Sequence, residues 1–309
     1  MRKNKLSGHR SAFRTAFWFL LPAFIIYTLL MVLPLFTSMV QSAYAYNPDR
    51  SLRFVGLGNY VLLLRDPAWS ARFWNAIKNS TVFFLINMFI QNPIALFLAV
   101  LIAGRTKFAG AYRTILYLPC VLSLVMVAFV WQMMLNPIWG IVRDGLGLVG
   151  LSGLFKPWLG QKNTALTTIA LISAWQNMGT PVLLYYAALI NIPADLIEAS
   201  RIDGCSAWKV FWRIKFPMVM PTVATVSLLT YVFNFNAFDL IYAIKGPLAG
   251  PDFATDTMMS FFFRTFYGHQ LQQPNAPMGA TVACVIMILM LLGVFLYLWV
   301  NRRANERIN

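Results

Sequence analysis

Amides and hydroxyls set inside long apolar stretches are the groups in this 309-residue sequence with chemistry to offer. Asn87 and Gln91 stand four apart, the spacing that puts two side chains on one helix face. Gln176, Asn177 and Thr180 follow Trp175, and Thr230, Asn234, Asn236 and Asp239 form a third group. These residue types hold a ligand by hydrogen bonds; they do not pair a nucleophile with a base. In apolar surroundings they are costly, and they face a bundle interior or a cavity or bond one helix to another. Taken singly, each fits a helix–helix hydrogen bond; taken together they predict a polar path. The rings of Trp175, Tyr231 and Phe233 can add aromatic faces to it. Asp239 lies at the end of its stretch and has a second reading, as a partner for Lys245 or for another chain.

Groups for other chemistries are missing from the sequence. No G-x-x-x-x-G-K-[ST] run is present, and the glycines from Gly145 to Gly150 have no lysine after them, so the chain has no visible means of binding ATP. There is no H-E-x-x-H and no pair of carboxylates inside an apolar stretch, which leaves an intramembrane protease or a proton-relay carrier without its working groups. Cys120, Cys205 and Cys284 are odd in number and widely spaced, and His9 and His269 are isolated. Neither a disulfide framework nor a metal site follows. The expectation is no catalytic residue, no metal and no cofactor bound by this chain itself.

The elements that must position the polar groups follow from composition. Hydrophobic residues make up 59% and charged residues 11%, and mean hydropathy is +0.64. Soluble domains run at about 45–50% apolar and about 25% charged, so this chain cannot cover a soluble surface. Disordered chains are poor in aromatics and rich in charge, and that class is excluded as well. A helix needs about 20 apolar residues to cross a bilayer. Stretches 16–40, 79–103, 114–135, 164–190 and 277–300 meet that without a charge, and 218–244 meets it with Asp239 alone. The prediction is an all-α integral membrane protein of six transmembrane helices: a tail 1–15, a six-span domain 16–300 and a tail 301–309. The first stretch has a basic flank and an Ala43-Tyr44-Ala45 cleavage-like sequence. It is far longer than the about 7–15 residues of a signal h-region, so it reads as a retained anchor.

Six spans put both termini on one side, and the basic residues choose it. With the termini inside, 15 of the 25 Lys and Arg fall on inner segments. These are Arg2, Lys3, Lys5, Arg10 and Arg14; Arg105, Lys107 and Arg113; Arg201, Lys209, Arg213 and Lys215; and Arg302, Arg303 and Arg307. They occupy about 61 positions against about 98 for the other 10, which predicts cytoplasmic termini. The net charge of +15 therefore belongs to membrane topology and not to nucleic acid. Outer segments 41–78, 136–163 and 245–276 are rich in Gly, Pro and aromatics, and are expected to fold on the membrane surface or meet an external partner.

Loop 191–217 is too structured for a linker. Pro193 suits a helix start, Asp195 and Glu198 place negative charge near its positive end, and Gly204 can take the left-handed conformation that stops it. Trp208, Phe211 and Trp212 then repeat at helical spacing, with Lys209 and Arg213 on another side and Pro217 before the next span. This predicts helix, turn, helix on the cytoplasmic face. It reads either as an amphipathic layer on lipid headgroups or as a short helix docking in a partner's groove.

The spacing Glu198-Ala199-Ser200, three residues, Gly204, nine residues, Ile214-Lys215-Phe216-Pro217 resembles the EAA signature, E-A-A-x3-G-x9-I-x-L-P, with Asp203 also fitting. That signature belongs to permease subunits of binding-protein-dependent ABC importers. Ser200 replaces the third Ala and Phe216 the Leu. Further segments resemble sugar-type members, the maltose and glycerol-phosphate permeases: Phe54-Val-Gly-Leu-Gly-Asn-Tyr60 with Asp66-Pro67, Arg113-Thr-Ile-Leu-Tyr-Leu-Pro119, Phe233-Asn-Phe-Asn-Ala-Phe238, and Gly246-Pro247 with the run from Thr255 to Phe266. The resemblance implies a type I (MetI-like) core with a cytoplasmic coupling helix at about 198–208. Glu198 would meet a basic group on an ATPase, Ala199 and Ser200 would allow close approach, Gly204 would turn the chain, and Trp208 and Phe211 would pack beneath. In maltose-type members, sugar contacts come from the segments matching 175–180 and 230–237, which implicates Gln176, Asn177, Thr180, Thr230 and Asn234. Ala237 stands where those members have a polar residue. The implied partners are a second homologous permease, two ATP-binding subunits carrying ATP and Mg, an extracytoplasmic substrate-binding protein and membrane lipid. The implied function is uptake of a sugar, oligosaccharide or sugar derivative across the inner membrane by alternating access. A stand-alone carrier or channel leaves loop 191–217 unexplained, a membrane-embedded enzyme lacks catalytic groups, and an ABC permease for a non-sugar solute is the alternative within the family.

Overall fold

The computed structural model describes residues 4–104, 108–269 and 272–306. Arg2, Lys3, Arg105, Lys107 and Arg307 of the basic flanks lie outside them. Four helices are long and apolar enough to cross a membrane: α1 (Ala16–Ser42), α3 (Pro67–Ala103), α10 (Ala207–Phe235) and α13, whose apolar part is Ala276–Arg303. By length and composition the number rises to as many as six if each of two bent pairs counts as one span. Between α1 and α3 lie a short hairpin, β1 (Tyr44–Tyr46) and β2 (Leu52–Phe54), and α2 (Gly58–Arg65).

The apolar stretch 114–135 is not one helix. It divides into α4 (Ala109–Val121) and α5 (Leu124–Met134), bent by 94°. Leu122 and Ser123 are extended, and the Ser123 hydroxyl caps α5 by accepting from Met126 N at 3.3 Å. α6 (Ile141–Leu148) follows. Stretch 164–190 divides into α7 (Ala165–Gln176) and α8 (Gly179–Ile190). Gly179 is required there: a Cβ would stand 2.7 Å from Tyr117 Cα, where α8 crosses α4. α9 (Ala194–Ile202) leaves α8 at 68°. α10 then begins at Ala207 and runs on past Pro217, so that proline sits within a helix. Stretch 218–244 breaks at 236–238, before α11 (Asp239–Lys245). α12 (Met258–Tyr267) precedes α13.

Three helices share one irregularity. Thr28–Val32 in α1, Asn87–Gln91 in α3 and Phe211–Lys215 in α10 are π-helical turns. Each ends two residues before a proline, Pro34, Pro93 or Pro217. Proline has no N–H and its ring crowds the carbonyl four residues back. The residue before each proline instead bonds five back: Leu33 to Thr28, Asn92 to Asn87 and Phe216 to Phe211. The wider turn relieves the clash and the helix continues.

Among the described residues three apolar clusters hold the bundle, one of them Leu63, Phe73, Ala76, Met258 and Met278 on α2, α3, α12 and α13. Phe83, Val127, Ile169, Ile172 and Ile241 join α3, α5, α7 and α11. Ala95, Ala99, Val182, Tyr185, Val219 and Val226 join α3, α8 and α10. α1 is the exception: none of its most apolar window is buried by its own chain.

The segment before α12 is fixed to α3 by polar contacts. Asp256 and Arg264 form a buried ion pair, 0% and 2% exposed. Asn79 Nδ2 donates to the Asp256 carbonyl at 3.0 Å, and Met258 N donates to Ser80 Oγ at 2.9 Å. Burial pushes the Asp256 carboxyl above the usual carboxylate range while Arg264 pulls it down. The motif around Gly56 also has its reason. Gly56 has φ +57°, and the buried Asn59 amide donates to the carbonyls of Ser42 and Tyr44, closing the hairpin onto α1.

Candidate functional site

Between the cluster of Phe83 and the cluster of Ala95, α3, α7, α8 and α10 enclose a cleft of about 370 Å³. Asn87, Gln91, Asn177, Thr180, Thr230, Phe233 and Asn234 all line it, joined by Ser173 and Asn236. Pro181, Leu184, Val226, Leu229 and Val232 supply the apolar remainder, and no lining residue is charged. The polar groups from three separate stretches therefore share one space.

Irregular backbone presents them. Asn87 and Gln91 bound the π-helical turn of α3, a device common at functional sites. Asn87 Nδ2 donates to the Phe83 carbonyl at 2.9 Å, and Gln91 Nε2 to the Asn177 carbonyl at 3.0 Å, at the break between α7 and α8. Asn177 Nδ2 bonds the Ser173 carbonyl. Asn92 Nδ2 reaches Thr230 Oγ1 at 3.1 Å, and Thr230 Oγ1 donates to the Val226 carbonyl. Asn234 Nδ2 donates to the Thr230 carbonyl at 2.7 Å, but its Oδ1 is buried and accepts nothing from the protein. A buried acceptor without a partner carries a desolvation cost.

Four expected residues lie elsewhere. Tyr231 faces α13: its hydroxyl donates to the Leu289 carbonyl at 2.6 Å and its ring abuts Gly293, where a Cβ would collide with it. Gln176 is buried at the end of α7 but does not line the cleft. Asp239 is exposed beyond the break at 236–238, and the Lys245 ammonium bonds the Leu159 carbonyl instead of its carboxylate. Trp175 stacks edge-on against Trp131 at 5.5 Å, which leaves Phe233 as the lining ring. The sequence reading missed Ser173, which lines the cleft, and Asn92, which bonds the lining residue Thr230. The signal for Asn92 is a third carboxamide directly after Gln91 and before Pro93.

Loop 191–217 forms its own surface at one end of the bundle. Glu198 and Ala199 are exposed on α9, and Ser200 is buried with its hydroxyl on the Ile197 carbonyl. Asp203 and Gly204 are exposed in the turn, Ile214 is half-buried and Pro217 exposed. Gly204 has φ +73° with open space around it, so backbone conformation alone demands glycine. Glu198, Arg201 and Lys215 border a second cleft of about 680 Å³. Trp208 does not pack beneath the loop as expected: it is 70% exposed and meets the Trp212 ring at 5.6 Å, whereas Phe211 is half-buried. At the other end, Lys162 bonds Asp252 and holds its carboxyl below the usual range.

Residues 67–306 match the family described as the binding-protein-dependent transport system inner membrane component. The chain belongs to this family. It is a multi-pass inner-membrane permease component. The permease is 29% identical over 288 residues to the lactose transport system permease protein LacF of Rhizobium radiobacter, covering 93% of this chain and 94% of that one. It is 27% identical over 288 residues to the trehalose/maltose transport system permease protein MalF of Thermococcus litoralis, covering 93% and 92%. Its fold matches a chain of the bacterial alginate ABC transporter solved with alginate pentasaccharide-bound periplasmic protein, at a TM-score of 0.82 and 21% identity, over 97% of this chain and 98% of that one. The MetI-like permease fold expected from the EAA-like spacing is the fold found.

Proposed function

We propose that this permease is one membrane subunit of an ATP-driven importer for a sugar, oligosaccharide or sugar derivative. The observation that carries the reading is the uncharged cleft lined by the carboxamide residues Asn87, Gln91, Asn177, Asn234 and Asn236. Such groups bond sugar hydroxyls, and Phe233 offers a ring face beside them. The relatives named for lactose and for trehalose and maltose support this substrate class.

The remaining parts follow from the same reading. A second permease completes the path, and an extracytoplasmic binding protein delivers the solute. Two ATPase subunits, which carry the ATP and Mg, dock on loop 191–217, with Glu198 offering a carboxylate to a basic group there. The termini and that loop face the cytoplasm, as the basic residues indicate. This chain contributes no catalytic residue of its own. Nucleotide moves the α9 surfaces together and favours one orientation of the cleft over the other; that difference in affinity between states is what drives transport.

The test is a mild-detergent pull-down of the tagged chain from its native membrane, followed by reconstitution in vesicles. Recovery of an ATPase and a second six-span permease, with ATP-dependent uptake of a labelled neutral oligosaccharide, is the expected outcome. Recovery of the chain alone, from a preparation that keeps other complexes intact, overturns the subunit reading. Uptake of a non-sugar solute by the full complex overturns the substrate class alone.

A further inference from the structure

Gln91 and Asn92 are consecutive on α3 and bond different walls of the polar cleft. The Gln91 amide donates to the break between α7 and α8. The Asn92 amide donates to α10, from Nδ2 to Thr230 Oγ1 at 3.1 Å. Neighbours on a helix point about 100° apart, so two adjacent carboxamides serve two helices. Asn92 does not itself line the cleft and is only 5% exposed. The same nitrogen meets the Met88 sulfur, an acceptor only, at 3.4 Å, which sets the orientation of the amide.

The Thr230 hydroxyl has one proton and two lone pairs. The Val226 carbonyl at 2.8 Å takes the proton in preference to Asn92 Oδ1 at 3.3 Å, and Asn92 Nδ2 fills a lone pair. A threonine in a helix divides between two rotamers, because its hydroxyl can bond a carbonyl of the preceding turn. A second bond from a neighbouring helix selects one of them. Thr230 is a lining residue of the cleft, so its rotamer decides what it presents there, hydroxyl or methyl. Its carbonyl also accepts from Asn234 Nδ2 at 2.7 Å, and Asn234 lines the cleft one turn further on.

We propose that Asn92 is a positioning residue for the solute. It touches no solute itself; it fixes the face that Thr230, and through it Asn234, turns to the cleft. The inference rests on the reading of this cleft as the solute path. The rival is a bond that only ties α3 to α10.

The whole importer is tested in vesicles, with a labelled neutral oligosaccharide and a set of its monodeoxy analogues. The quantity read is the ratio of uptake between parent and analogue. The binding protein is the same in every arm, so its own preference cancels. Thr230→Val and Asn92→Leu should each shrink the preference against the same analogue about fivefold, one neutral hydrogen bond's worth. The double variant should shrink it no further than Thr230→Val alone, because Asn92 acts through that side chain. Where Asn92→Leu does not assemble, Asn92→Ala takes its place. A ratio shifted by Thr230→Val and untouched by Asn92→Leu overturns the proposal, and equal loss of uptake for every solute leaves the tie between helices as the role of Asn92. Additive shifts in the double variant overturn it too. Wild-type ratios in both Thr230→Val and Asn234→Leu remove the cleft from the solute path, and the positioning role falls with it.

Discussion

Gln91 donates from Nε2 to the main-chain carbonyl of Asn177 at 3.0 Å, and this bond joins two interruptions of regular helix. One is the π-helical turn that ends at Gln91. The other is the break between α7 and α8, where Asn177 sits. Gly179, two residues on, lets α8 press against α4. One wall of the cleft is thus built where the backbone is least regular.

Gln91→Leu should weaken that wall without filling the cleft. The expected cost is about 1 kcal/mol, the usual worth of one such bond between spans. It should be read as a lower thermal midpoint of the purified complex. An unchanged midpoint would mean that the bond is absent once the partner subunits are in place.

Asn234→Leu removes the orphan acceptor and keeps the volume. Uptake should fall about tenfold, one hydrogen bond's worth, with the subunits still co-purifying in normal ratio. Wild-type uptake kinetics would take Asn234 out of the solute path.

Glu198→Lys reverses the exposed charge on α9, and Gly204→Val places a β-branched residue at φ +73°. The second should cost about 1–2 kcal/mol locally. Both should uncouple ATP hydrolysis from uptake or prevent the ATPase from binding. Normal solute-stimulated ATPase activity in both variants would refute the coupling assignment of loop 191–217.

Breaking the buried Asp256–Arg264 pair from one side should be worse than removing it. Arg264→Met alone should cost about 3–5 kcal/mol by stranding a buried carboxylate, and the double change with Asp256→Leu should recover much of that. Thermal midpoints of the two variants and the unmodified chain give the comparison. Equal loss in the single and double variants would show that the pair is not what stabilises the α12 segment.

Much of this was legible in the sequence, for identifiable reasons. Polar residues are costly in apolar stretches, so the cleft residues announced themselves. Gly204 announced its turn, because few other residues accept a positive φ. Direction was harder to read. Where a helix is apolar nearly all round, pattern does not say which side faces what, so Tyr231, which packs against α13, and Phe233, which faces the cleft, could not be separated. The bend at 122–123 was hidden by apolar residues on both sides, although Ser123 is a cap of ordinary type. Arg264 was hidden for another reason: its partner lies eight residues away, outside helical neighbour spacing.

The prolines after the three π-helical turns act as points of rephasing, not as ends. A widened turn holds one residue more than a regular one, so faces counted on one side of it do not continue on the other. On α3, Asn87 and Gln91 open onto the polar cleft, whereas Met88, Phe89, Leu96 and Val100 line an apolar groove against α10. If Pro93 were replaced and the ladder closed to regular α-helix, the half of α3 beyond it would rotate by about 100° against the half before it. A single ring thus sets the angle at which the second half of that helix, with Ala95 and Ala99, meets α8 and α10.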